Sequence, residues 1–243
     1  MVPIPSIQSV DNVTPAAIDL LRNWLARTLD VERMRWLDTA IKGQCHGADE
    51  CQLGIALGLV GRRIGRGDLL LSAVDLAAAQ ALRSHWHPEM WGTDEAARVM
   101  LVLATWTGNE ESFAARVERQ CITGELNEHV ACLKGFAVFP APSRLLKHAR
   151  EAARSSNQAV FEAIACQNPY PADYFDEAAY NQMVIKVLFS GLPIGTIVGL
   201  HERRNDDLVR MVGDLVSERR AARRPVPDSV QRWLVRIDSS NQA

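Results

Sequence analysis

Apolar residues along this chain recur every three or four positions, and no segment sustains strict alternation. That single pattern restricts the fold to helices packed on helices, because a half-buried strand requires a period of two. Ile18, Leu21, Leu25 and Leu29 form one such row, and Met34, Leu37 and Ile41 a second. Between Ala96 and Trp106 the apolar residues surround the helix, so this segment is expected at the centre. Short polar connections separate about ten to twelve such segments, giving an all-α domain of packed helical hairpins. Whether the hairpins close into an irregular bundle or stack like a solenoid is open, and no fixed-period repeat is visible. The expected limits are a flexible arm over 1–13, the helical domain over 14–237 and a disordered tail over 238–243.

The densest stretch runs from Asn168 to Phe189. Asn168-Pro169-Tyr170-Pro171 is expected to be a stiff, non-helical corner, since a residue before proline is pushed towards extended geometry. Asp176 reads as the N-cap of a helix that stops at Gly191, with Phe175 and Tyr180 at the two ends of a hydrophobic staple. At about 100° per residue, Tyr180, Met183, Val184, Val187 and Leu188 share one apolar face. Gln182 and Lys186 stand opposite, as a solvated pair. Glu177 projects between Val184 and Leu188, with Asn181 about 40° away. A carboxylate and an amide facing the core need partners.

Asn157 lies in the apolar arc of an expected long helix from Ser143 to Cys166, and Arg219 follows the inward row Leu208, Val212 of a late helix. Arg219 is the candidate counter-ion for Glu177. Glu177, Asn181, Asn157 and Arg219 therefore form either a structural network or the wall of a ligand pocket. Asn168, Tyr170, Lys186 and Arg63 are secondary candidates.

Other features are weaker. Cys45, His46 and Cys51 supply three possible zinc ligands where a structural site takes four, so no metal is expected there. His85 and His87 lack a third ligand nearby. Asp173, Asp176 and Glu177 resemble a magnesium-binding cluster, but the capping role of Asp176 competes for its oxygens. The segment Gly61-Arg62-Arg63-Ile64-Gly65-Arg66-Gly67 has no P-loop lysine or hydroxyl and reads as a solvated connector. Asp68 and Thr93 are expected to cap the helices that follow them, and Thr14-Pro15 to open the first helix. Trp86 and Trp91 fall outside the expected cores and suit an interface.

A net charge of −2 gives no electrostatic case for nucleic acid. No apolar run approaches the roughly 18 residues of a membrane span. Five cysteines and an N-terminus without charged and apolar signal regions lead to the expectation of a cytoplasmic protein with reduced thiols and no cofactor.

The organising stretch resembles the EboA family through Asn168-Pro169-Tyr170-Pro171, Tyr174-Phe175-Asp176-Glu177, Asn181-Gln182-Met183 and Lys186. The likeness continues through Gly199-Leu200, Asn205, Arg210-Met211 and Glu218-Arg219. Upstream it takes in Ala159 to Ala163, Arg63-Ile64-Gly65 and Leu76 to Ala79, so it covers most of 50–235. Three residues depart from the pattern. His201 stands where an acidic residue is expected, and Ser217 and Arg220 replace a histidine and an aromatic. The resemblance implies a bacterial accessory protein of a cluster that makes or exports a secondary metabolite. Such a protein would bind the metabolite or dock enzymes of the same cluster. The alternative is a small-molecule enzyme with Glu177 as acid or base and Arg219 holding an anionic substrate.

Overall fold

The computed structural model describes residues 10–45 and 50–235. Among them lie thirteen α-helices: α1 (Val10–Thr28), α2 (Val31–Cys45), α3 (Glu50–Arg63), α4 (Ala73–Leu82), α5 (Thr93–Leu103), α6 (Glu110–Thr123), α7 (Leu126–Gly135), α8 (Leu146–Arg154), α9 (Gln158–Ala165), α10 (Tyr170–Tyr174), α11 (Glu177–Phe189), α12 (Asp206–Ala221) and α13 (Asp228–Val235). Three 3-10 turns occur at Pro88–Met90, Pro142–Leu145 and Ile194–Thr196. The fold is all-α, and the described residues form no strand beyond an isolated bridge between Asp68 and Gly92.

Helix α5 is the centre that its sequence implies. Val99, Met100, Leu101 and Leu103 are sealed from solvent, and α1, α2, α3 and α7 pack around them. Its one long cation, Arg98, is buried and answered by Asp94 one turn earlier at 2.6 Å. From α5 the packing advances with the chain: α7 on α5, α9 on α7, α11 on α8 and α9, α12 on α11, and α13 on α12. Trp24 of α1 meets Trp86 at 5.6 Å, and Trp86 meets Trp91 at 5.7 Å. These tryptophans fill the core beside α1, so the interface expected of Trp86 and Trp91 is corrected. Their loop sequence hides this, because Trp24, which packs against Trp86, comes from a helix far earlier in the chain.

Several local expectations are corrected as well. Helix α1 begins at Val10, so Pro15 lies inside it and the expected arm loses its last residues. Residues 1–9, the tail beyond Val235, and His46 of the Cys45-His46 pair fall outside the described residues. Helix α4 is capped by Ser72 rather than Asp68, in a reciprocal capping box with Asp75. Gly92 takes the cap position before α5. Thr93 is released to bond the glycine-rich connector, with its N–H on the Gly67 carbonyl at 2.7 Å and its hydroxyl accepting from Gly67 N–H at 3.1 Å.

The long helix expected from Ser143 to Cys166 is two helices. Ser155-Ser156-Asn157 offers local hydrogen bonds that compete with the helix, and Asn157 caps α9 by accepting from Ala159 and Val160 N–H. The proline corner is also helical, as α10, with Pro171 in the first turn where no donor is needed.

Asp75 ties α4 to α1. Both of its oxygens accept from Arg27, at 3.0 and 2.8 Å, and Ser72 donates to it as well. The Arg27 guanidinium holds this carboxyl well below the usual carboxylate range. A depressed folded-state pKa contributes stability above the unfolded value, near pH 4, and that stability is lost as pH falls below it. Urea midpoints followed downward from pH 6 should therefore fall more steeply for the natural chain than for Asp75→Asn. Parallel pH profiles would remove Asp75 from the acid response.

Candidate functional site

The stretch from Asn168 to Phe189 is held by its own polar groups. Buried Asn168 donates to the Leu133 and Ala163 carbonyls, each at 3.0 Å, and accepts from Tyr170 N–H. One amide thereby fixes α7, α9 and α10 together. Tyr170 is fully buried against Phe136 and Tyr174, its hydroxyl donates to the Pro142 carbonyl at 2.5 Å, and burial pushes its ionisation up. Asp176 caps α11 by accepting from Ala179 N–H at 2.8 Å, and Gly191, at φ +79°, follows the helix end.

The four principal sequence candidates do not converge. Asn181 is buried, but it exchanges two side-chain hydrogen bonds with Asn205, at 3.0 and 3.1 Å. Asn205 also caps α12 through Leu208 N–H, so one side chain serves both roles. Glu177 is exposed. It occupies the first helical position, where a carboxylate meets unpaired amides and water, which the angular projection does not take into account. Asn157 is exposed at its cap. Arg219 donates to the Leu188 and Phe189 carbonyls at 3.0 and 3.2 Å, which closes the C-terminus of α11. The inward Glu177–Arg219 pair is thus corrected. Arg63 is exposed at the end of α3.

Lys186 is half-buried, which corrects the solvated pair with Gln182. Its ammonium donates to the Ala153 and Ser155 carbonyls at 3.1 and 2.6 Å and lies 4.1 Å from the Phe161 ring centre. Burial pulls its pKa down. It stands in a groove between α8 and α11 of about 290 Å³, lined by Arg150, Ala153, Arg154, Phe175, Ala179, Gln182, Met183 and Lys186. Phe175 and Met183 are buried and make the floor apolar. Arg150 pairs with Asp176 at 2.5 Å, and its Nε is buried without a hydrogen-bond partner. Arg154 is exposed and forms no ion pair with the described residues. Three cations thus line the groove over an apolar floor, and one of them, Arg150, is paired with Asp176. Sequence reasoning missed Arg150, Arg154 and Met183 as neighbours, since only the break after α8 brings that helix end to α11.

A second cavity, of about 300 Å³, lies between His85, His87, Gln167 and the loop from Ile194 to Glu202. Among the described residues no group of three histidine, cysteine or carboxylate side chains is arranged to hold a metal ion. The acidic cluster is otherwise engaged, with Asp173 on Arg83 and Asp176 on its cap and Arg150.

The family model described as metabolite traffic protein EboA matches residues 17–235. The chain belongs to the EboA family. No curated protein and no solved structure matches it. The match spans both sides of the α8–α11 groove. Of the residues that depart from the EboA pattern, His201 lines the second cavity, while Ser217 and Arg220 are exposed on α12. No helix among the described residues is long and apolar enough to cross a membrane.

The amide pair makes a sharp prediction. Asn205→Ala should cost about 2 kcal/mol, through loss of a cap and a buried hydrogen bond. Asn181→Ala should cost about 1 kcal/mol, and the double variant less than the sum, as expected for side chains in contact. Glu177→Gln should stay within about 0.5 kcal/mol of the natural chain. Urea denaturation of the natural chain and the four variants measures all four effects, and strict additivity would show that the two amides act independently.

Proposed function

We propose that the α8–α11 groove receives an anionic metabolite with an apolar portion, a carboxylate or phosphate on a hydrocarbon body. On this reading the chain is a bacterial, cytoplasmic accessory protein of metabolite traffic, binding a product of a secondary-metabolite cluster. One observation carries it: Lys186 is half-buried with no carboxylate beside it, and Arg154 stands near it unpaired, above the apolar Phe175 and Met183. A partly desolvated cation gains most from an anion that can also fill the space next to it. The two carbonyls on Lys186 leave its third N–H for such a ligand. Glu177, proposed from sequence as an acid or base, is not part of the lining, so the groove supports binding rather than proton transfer.

Octyl phosphate, octanoate and octanol, titrated calorimetrically, test the reading. Both anions should bind at least about tenfold more tightly than the alcohol, and less tightly as salt rises. Arg154→Gln, on the exposed rim, should weaken the anions by about tenfold and leave the alcohol unchanged. Equal affinity for all three compounds, or anion binding untouched by Arg154→Gln, would overturn it.

A further inference from the structure

Away from the groove, α6 and α7 bring two thiols together. Cys121 Sγ and Cys132 Sγ lie 3.9 Å apart. Cys132 is buried, while Cys121 is partly open to solvent. Their surroundings differentiate them. The Cys132 thiol, donating to Cys121, pulls the Cys121 pKa down against the effect of burial, and His129 and His148 reinforce this. The same contact and full burial push Cys132 up. His148, buried on α8, faces Glu118 at 3.4 Å and Glu151 at 3.5 Å.

We infer that Cys121 and Cys132 form a thiol–disulfide exchange site, with Cys121 the attacking sulfur and Cys132 the resolving one. The co-substrate is a low-molecular-weight disulfide, RSSR. Cys121 thiolate attacks one sulfur, forming a mixed disulfide and releasing RS⁻. Cys132 then gives up its proton, and its sulfur attacks Cys121 Sγ and releases the second RS⁻. The protein loses two electrons and two protons, and RSSR becomes two RSH. Closing the bond requires the sulfurs to approach from 3.9 Å to about 2.05 Å. The two cysteines stand on neighbouring helices that pack against each other. An accessible thiolate beside a resolving cysteine is the arrangement that such exchange favours.

The full-length reduced protein treated with oxidised glutathione at neutral pH, then mapped by peptide mass spectrometry, tests the site. The expected product joins Cys121 to Cys132 and reverts with dithiothreitol. Cys132→Ser should stop at one glutathione on Cys121, formed several-fold faster than modification of exposed Cys51. Circular dichroism checks that the variant is folded. If the natural protein yields stable glutathione adducts with no Cys121–Cys132 link, or if Cys51 reacts first, the inference fails.

Discussion

Cationic side chains that close the carbonyl ends of other helices hold the C-terminal half of this molecule together. The last four carbonyls of a helix lack partners within it, and they carry the negative end of its dipole. Lys186 of α11 answers those of α8, and Arg203 donates to the Ala172 and Phe175 carbonyls at the end of α10. Arg219 of α12 closes α11, and Arg204 closes α13 through the Trp233 and Leu234 carbonyls. Three of the four also lie over rings, Lys186 on Phe161, Arg203 on Tyr180 and Arg204 on Trp233. Stacking removes water from the cation and from the ring face in one contact, and fixes the angle between helices as well as their separation.

The same interaction explains why the groove is basic. A cation that caps a helix is neutralised only by partial charges, so its full charge remains available to an anion. Lys186 is placed by α8, and α8 also presents Arg150 and Arg154 from the same end. The proposed binding surface is therefore a by-product of helix capping, sharpened by the break that ends α8 at Arg154.

Much of the fold was legible because the signals are local. Asp176 caps the helix that follows it, as its chemistry and position imply, and α5 is central because it is apolar all round. What could not be read was whatever depends on a partner across space. Periodicity places Asn181 on the inner face but does not say that Asn205 lies opposite. The same projection turns Glu177 inward, although it lies exposed at the first position of α11. Lys186 was assigned to the solvated face because the capping role is written in α8, not in its own helix. Asn157 read as helix interior for a related reason: one capping residue inside an apolar arc gives the same pattern whether the helix continues or breaks.

Because most of these clasps reach backwards along the sequence, they also impose an order in time. When α8 leaves the ribosome its carbonyl end is open, and it stays so until Lys186 has been synthesised. Helix α11 in turn waits for Arg219, and α10 for Arg203. Each of these three clasps arrives from a helix or turn not yet made when its target emerges. The C-terminal half is thus completed by translation in sequence, and a nascent chain halted early carries its most recent helix unfastened.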